Sequence, residues 1–147
     1  MDVSKVLSIV SDIRYIQDNM YKSISEETGM NATAIEILMF FSTNPDYCTA
    51  KDLCKLKNIK PNLASFHIEK LVQNGYVLRE SVVVDRRKVK LVITNKSDEI
   101  IEKGTLIRDK FIQDIVKGIT QEDWNLFAKF MNQLGENAKI VKKKMNK

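Results

Sequence analysis

The sequence is poor in the two residues that most often interrupt helices. Only five glycines and two prolines occur in 147 residues, which favours long helices over a turn-rich β fold. No apolar run approaches the roughly 18 residues that a membrane span needs. The first residues, Met1 to Ser4, lack a charged segment followed by an apolar core, so we expect no signal peptide. These absences predict a helical, cytoplasmic protein with no membrane partner.

Cysteine and histidine are equally scarce. Cys48 and Cys54 lie six positions apart, and two cysteines without an export signal do not predict a disulfide framework. The single histidine, His67, cannot complete a zinc site with them, so we expect no metal and no cofactor. One alternative stays open: Cys48 borders a predicted helix N-terminus, which would stabilise a thiolate for redox sensing.

Enzymes are the function class that the sequence supports least. It has no glycine-rich phosphate loop and no Ser or Cys with a plausible partner base. Its carboxylates are scattered at the spacings of a solvated helix surface. We therefore expect that the protein is not an enzyme.

The positive charge is concentrated in one part of the chain. Residues 51–96 hold eleven Lys and Arg against four Asp and Glu, a local net charge of +7, although the whole chain carries only +5. The remainder is therefore slightly acidic. This contrast predicts a face that binds a polyanion.

The apolar pattern predicts a helix at the N-terminus and a buried helix after it. From Val3 to about Ile24, apolar residues recur at helical intervals. The polar residues 25–30 predict a connection. Asn31 then caps a helix that is apolar almost all round, which is typical of the centre of a core. Pro45 marks its end.

Residues 49–75 predict a helix-turn-helix. Thr49 with Asp52 three positions later resembles a capping box at the start of the first helix. After a short turn, Pro61 occupies a first helical position, where its missing N–H costs little. The second helix ends at Gly75.

A β-hairpin is predicted directly after this pair of helices. The segments Tyr76–Val84 and Lys88–Thr94 are rich in β-branched residues, and Asp85-Arg86-Arg87 lies between them as the tip. Two arginines at a hairpin tip favour contact with the minor groove of DNA and its phosphates. Asp85 would orient one guanidinium through a bidentate pair.

The second helix of the pair has an inner and an outer face. A helical projection places Ala64, Ile68, Leu71 and Val72 together on the inner side. The outer side and its flank carry groups suited to base edges: Asn62, Ser65, Phe66, Glu69, Lys70 and Gln73. Amides pair with adenine, a carboxylate accepts from cytosine, and an exposed Phe meets a thymine methyl group. Alternatively, Phe66 folds back onto His67 or Leu63 as core padding.

Two further helices are predicted at the C-terminus. The first spans 95–118, with these apolar residues directed inward: Ile100, Ile101, Ile107, Phe111, Ile112, Ile115 and Val116. The second, capped by Thr120, carries a heptad seam: Trp124, Phe127, Met131, Leu134, Ala138, Val141 and Met145. Such a seam favours a partner helix from a second copy of the chain. The simpler alternative is packing on the chain's own first helix.

Three segments together carry a family resemblance. They are Lys60–Leu71, then Asn74-Gly75-Tyr76-Val77-Leu78-Arg79, then Asp85-Arg86-Arg87 through Thr94. These segments resemble the MarR family of bacterial transcription regulators, in which the recognition helix leads into a wing with an Asp-x-Arg pair and a terminal Leu-Thr. Asp85 and Arg87 match that pair, and Ser65 matches a recognition-helix serine. The sequence departs from the family pattern at Phe66, at Val82–Val84 and at Asn95-Lys96.

The resemblance implies a mainly α fold with a small β-wing (α+β). A single domain, 1–147, would contain a winged helix-turn-helix over 31–94 and dimerisation helices over 1–30 and 95–147. The residues expected to hold the dimer are Val6, Val10, Ile13, Trp124, Phe127, Met131, Leu134 and Val141.

The resemblance also implies the function. We expect a homodimeric, sequence-specific transcription regulator, a repressor that binds a pseudo-palindromic operator in double-stranded DNA. The residues expected at the DNA are Lys60, Asn62, Ser65, Phe66, Lys70, Asp85, Arg86, Arg87 and Lys88. The competing hypothesis is a winged-helix interaction scaffold or a non-specific DNA-binding protein, with Phe66 and Val82–Val84 in a protein-binding patch.

Family members often respond to small aromatic or lipophilic ligands. The resemblance therefore implies a pocket for such an effector, lined by Tyr15, Phe40, Phe41 and Phe111. The same four side chains fit equally well as ordinary core.

Overall fold

The computed structural model describes residues 2–82 and 85–145, and the side chains of Val3 and of residues 82–88 lie outside that description. The described part is mainly helical with one small sheet, as the sequence predicts. Its elements are α1 Val3–Asn19, α2 Lys22–Thr28, α3 Ala32–Thr43, α4 Ala50–Lys57, α5 Pro61–Gln73, β1 Val77–Val82, β2 Asp85–Ile93, a 3-10 turn Asn95–Ser97, α6 Asp98–Ile115 and α7 Gln121–Met145.

The N-terminal segment differs from its prediction. The predictions of one helix to about Ile24 and of a connection over 25–30 are wrong. Helix α1 ends at Asn19, and α2 covers most of the expected connection. The chain turns between the two helices so that Tyr21 and Ile24 enter the core, where both are buried. The second helix then ends at Gly29, whose φ of 69° suits a residue without a side chain.

The core is built around α3, as its apolar composition predicts. Asn31 caps the helix by accepting from the Thr33 N–H at 2.9 Å. Seven of its twelve residues are buried, from Ala34 to Phe41. Buried side chains from every neighbouring element of the first 110 residues pack in the same cluster, among them Leu53, Ala64, Ile68, Leu71, Val77, Leu91 and Ile100.

The helix-turn-helix forms where the local chemistry predicts it. The Asp52 N–H donates to Thr49 Oγ1 at 3.2 Å and the Thr49 N–H donates to Asp52 Oδ2 at 3.1 Å, which completes the capping box of α4. Asn58 ends α4 in the left-handed conformation, with φ 55°. Pro61 opens α5 at its first position.

The hairpin forms, but its tip is displaced from the predicted position. β1 and β2 pair antiparallel, and the register runs from Val77 opposite Ile93 to Val82 opposite Asp85, with an irregularity between Ser81 and Val82. Asp85-Arg86-Arg87 therefore belongs to β2, and the prediction of these three residues as the tip is wrong. Val83 and Val84, part of the proposed patch Val82–Val84, lie outside the described residues.

The C-terminal third contains the two predicted helices with shifted bounds. A 3-10 turn precedes α6, which begins at Asp98 and ends at Ile115 rather than at residue 118. Thr120 caps α7 through a reciprocal pair of hydrogen bonds with Asp123. Ile112 and Ile115 are exposed in the single chain, so the expectation that both are buried within it is wrong. Their position on α6 beyond the core cluster explains the difference.

The chain divides into two compact units, Met1–Lys110 and Phe111–Lys147. The sequence places the start of the C-terminal dimerisation segment at residue 95, whereas this division falls inside α6. Within residues 2–82 and 85–145, no helix is both long enough and apolar enough to cross a membrane.

Candidate nucleic-acid interface

Helix α5 presents two chemically different faces, as its helical spacing predicts. Ala64, Ile68 and Leu71 are buried against the core and Val72 is half-buried. The opposite side is exposed and contains the N-cap Lys60 together with Asn62, Ser65, Phe66 and Lys70. The exposed side therefore offers an amide, a hydroxyl group, an aromatic ring and two ammonium groups along one helix.

Phe66 is the largest apolar side chain on the exposed face of α5. The alternative prediction holds in part: Phe66 folds back onto His67, but at 53% exposed it is not part of the core. Its ring meets the His67 ring edge-on, with centroids 5.2 Å apart. The Lys70 ammonium lies 4.5 Å from its centroid, a cation–π contact that holds positive charge beside the exposed ring.

His67 lies on the border between the two faces of α5. The residue is 5% exposed, and its Nδ1 atom has no hydrogen-bond partner among the described residues. Burial lowers the pKa of the imidazole, and the positive charge of Lys70 lowers it further. The imidazole is therefore neutral at neutral pH and adds no charge to the surface.

Glu69 is engaged by partners within the protein. Arg79 Nη2 on β1 lies 2.8 Å from Glu69 Oε2, and the Gln73 amide donates to Glu69 Oε1 at 3.3 Å. Each carboxylate oxygen therefore has one partner within the protein, and a cytosine amino group would compete with Arg79 and Gln73 for Glu69. Reading of a cytosine by Glu69 stays a prediction. Arg79 was not among the predicted site residues, because no local pattern links residues 69 and 79.

The end of α5 is tied to the base of the wing by a second group of polar contacts. Thr94 Oγ1 donates to the Gly75 carbonyl at 2.7 Å, and Lys96 Nζ donates to the Asn74 carbonyl at 2.8 Å. The same ammonium lies 4.8 Å from the centroid of the Tyr76 ring. Lys96 is exposed and adds a further cation beside α5 that the predicted site omits.

The basic residues predicted at the wing lie at the start of β2. The backbone places Asp85, Arg86, Arg87 and Lys88 in consecutive strand positions, and their side chains lie outside the described residues. Lys90 follows on the same strand, is exposed and pairs in register with Glu80.

The four residues predicted to bind an effector occupy different environments. Phe40 and Phe41 are buried with ring centroids 5.3 Å apart, whereas Tyr15 is 70% exposed. Phe111 is half-buried and belongs to the second unit. Phe41 and Cys48 also line a cleft of about 320 Å³ beside β2.

The residues predicted to hold a dimer are largely exposed in the single chain. On α1, Val6 and Val10 are exposed and Ile13 is half-buried. On α7, the exposed side chains include five predicted residues: Trp124, Phe127, Met131, Leu134 and Val141. Leu126, Phe130 and Ile140 are also exposed, so the apolar surface of α7 is wider than the seven-residue seam.

Both cysteines are free and half-buried. Within the described residues, no cluster of three or more His, Cys, Asp and Glu side chains has the arrangement of a metal site.

Known proteins share both the sequence pattern and the fold. The model of the MarR family matches residues 28–88, which contain α3, α4, α5 and most of the hairpin. The HTH-type transcriptional regulator BilQ of Clostridium symbiosum (strain WAL-14163) is 20% identical over 115 residues, which cover 78% of this chain and 79% of BilQ.

Two solved structures extend the likeness over nearly the whole chain. MepR of S. aureus, solved as a complex with DNA, has a TM-score of 0.72 and 14% identity over 94% of this chain and 96% of MepR. Transcriptional regulator PA3341 has a TM-score of 0.76 and 20% identity over 93% of this chain and 98% of PA3341. At such identities the likeness concerns the fold and does not transfer the role of any single residue. Residues 28–88 thus match the MarR family model, and the chain as a whole has the winged helix-turn-helix fold of these solved structures.

Proposed function

We propose that the protein binds a pseudo-palindromic operator as a homodimer and represses transcription there. The observation that carries the proposal is the exposed face of α5. Phe66 is 53% exposed with a lysine ammonium 4.5 Å from its ring centroid, and Asn62 and Ser65 are exposed on the same helix. An apolar ring, an amide and a cation are the groups that read base edges and phosphates in a major groove.

The wing is proposed to hold the DNA backbone and the adjacent minor groove. Arg86, Arg87 and Lys88 supply the positive charge for these contacts. The support comes from sequence and backbone together: three consecutive basic residues follow Asp85, the first residue of β2. A basic hairpin beside an exposed helix can contact two grooves of one duplex.

Dimer formation is proposed to occur through the terminal helices. A chain that exposes Trp124, Phe127 and Leu134 on one helix presents more apolar surface than a monomer usually does. Val6 and Val10 on α1 add to the surface available for a second copy. A two-fold dimer would place two α5 helices on half-sites about 10 bp apart.

Release by a small aromatic or lipophilic ligand is the final part of the proposal. The cleft beside β2 supports it, because Phe41, Leu91 and Ile101 give an apolar lining to a space of about 320 Å³. Calorimetric titration with a panel of aromatic acids and alcohols would test it, and binding that lowers operator affinity is the expected result. Binding without any effect on the operator complex would contradict release.

The decisive experiment is selection of bound fragments from genomic DNA by the purified protein at about 150 mM salt, with the molar mass measured in the same buffer. An enriched two-fold sequence bound by a dimer is the expected result. A dimer that binds all fragments alike would favour a non-specific DNA-binding protein. A protein that binds no fragment would favour the interaction scaffold. The ratio of operator to random-duplex affinity is the quantity that separates these outcomes.

A further inference from the structure

Glu69 and Arg79 join α5 to the wing through their side chains. The 2.8 Å contact from Arg79 Nη2 to Glu69 Oε2 connects the two elements, while Gln73 holds the other carboxylate oxygen from one turn further along α5. The carboxylate is thus fixed on its own helix and anchors a guanidinium that belongs to the strand.

The strand directs Arg79 toward α5 because side chains alternate along β1. Val77, two residues earlier, is buried in the core, whereas Leu78 between them is exposed. Arg79 therefore lies on the inner face of the hairpin, just beyond the last buried position. Its guanidinium meets α5 where the apolar packing between helix and wing ends.

The pair is too exposed to contribute much to folding. The side chains of Arg79 and Glu69 are 43% and 47% exposed, and half-exposed ion pairs of this kind are weak stabilisers. The pair instead affects the position of β1 relative to α5 and the charge on the exposed face of α5. Without Arg79, the Glu69 carboxylate would lose its cationic partner on the helix proposed to approach the DNA phosphates, and β1 would lose this contact with α5.

We infer that Glu69 and Arg79 are positioning residues that fix the wing relative to α5 and so raise the preference for operator over random DNA. The inference rests on the proposed function, since it assigns the pair a role in operator binding. It differs from a direct role in which Arg79 contacts a phosphate and Glu69 reads a base.

A double-mutant cycle on DNA binding tests the inference. Glu69→Gln, Arg79→Gln and the double variant are compared with wild type on the selected operator and on a random duplex. Each single change should weaken operator binding about 3- to 10-fold, and the double change should weaken it no more than either single change, because both remove the same contact. The charge-swapped variant, Glu69→Arg with Arg79→Glu, should recover part of the loss.

The salt dependence of the same binding reactions gives a second readout. If Arg79 positions the wing, Arg79→Gln keeps the wild-type slope of log affinity against log salt. If it neutralises a phosphate, the slope falls by about 0.9. Glu26→Gln is the matched control, because it removes an exposed carboxylate paired with Lys22 on α2 and should change neither affinity nor slope.

The outcomes separate this inference from the proposed function. A wild-type protein with no sequence preference overturns both. If wild type prefers the operator, any one of three results overturns the inference alone. They are additive effects of the two single changes, a reduced salt slope for Arg79→Gln, or single variants whose operator affinity equals that of wild type. Circular dichroism and the urea midpoint of each variant should match wild type, since the pair contributes little to folding.

Discussion

Gly104 on α6 lies directly against Met39 on α3. A Cβ atom added at Gly104 would stand 2.5 Å from Met39 Sδ and 3.2 Å from Met39 Cε. Met39 is buried, so its thioether has little space into which it can move. The absence of a side chain at Gly104 therefore allows α6 to pack closely on the central helix.

Gly104→Val should destabilise the protein. A β-branched side chain forced into this contact should lower the free energy of unfolding by about 1–3 kcal/mol, as overpacked cores do. Gly135→Ala on α7 is the control, because nothing lies within 4 Å of an added Cβ there. That change should leave stability unchanged or raise it by up to about 1 kcal/mol, since alanine favours a helix. Urea denaturation measures both, and equal effects would refute the close packing.

Thr49→Ala should destabilise the start of α4. It removes the side-chain oxygen that accepts from the Asp52 N–H at 3.2 Å. The expected loss is about 1 kcal/mol in the free energy of unfolding, the usual effect of deleting an N-cap. Thr49→Ser retains the hydroxyl oxygen and should keep most of the stability. A serine variant as unstable as the alanine variant would show that the methyl group, not the cap, matters.

The stability of the protein should decrease in mildly acidic solution because of His67. Burial and Lys70 lower its pKa in the folded state, so the unfolded chain binds protons more readily below about pH 6.5. The stability that the neutral His67 imidazole contributes is therefore complete above that pH, and it is lost as the pH falls through the folded-state pKa of His67.

The measurement is the free energy of unfolding at about pH 7.5 and pH 5.5 for wild type and His67→Gln. Wild type should lose more stability than the variant between these two pH values. Because His67 is the only histidine in the sequence, this difference isolates one imidazole. Parallel pH profiles for the two proteins would contradict the prediction.

Features decided by neighbouring residues were the ones that the sequence predicted well. The caps at Asn31 and Thr49, the helix start at Pro61 and the stop at Gly75 all formed at the expected positions. Each depends on a hydrogen bond or a φ angle within a few residues. The two faces of α5 were predicted for a related reason, since helical periodicity alone assigns them.

Features decided by distant residues were missed. The break between α1 and α2 depends on burial of Tyr21 and Ile24 in a core that other elements build. The hairpin tip was misplaced because polar residue types suggested a turn, whereas strand pairing continued to Asp85. The contacts Glu69–Arg79 and Asn74–Lys96 depend on strand register, which residue types do not reveal.

Leu134→Glu should weaken the proposed dimer. Leu134 is exposed on α7 in the single chain, and a two-fold interface would bury it in both copies. Loss of two buried leucines costs roughly 3 kcal/mol or more, which raises the dissociation constant about a hundredfold or more. Analytical ultracentrifugation measures the change. Asn132→Glu, on the polar side of α7 that also carries Asn125 and Glu136, is the control and should leave the protein a dimer. Equal effects of the two changes would argue against the seam.

Lys70→Ala should reduce operator affinity and its dependence on salt. The Lys70 ammonium lies over the exposed Phe66 ring on the outer face of α5. If Lys70 neutralises a DNA phosphate there, a counterion is released from the DNA. The slope of log affinity against log salt should therefore fall by about 0.9, on operator and random duplex alike. Lys129→Ala on α7 removes the same charge away from α5 and should leave the slope unchanged. If both variants keep the wild-type slope, Lys70 does not contact a phosphate, and its role is confined to holding Phe66.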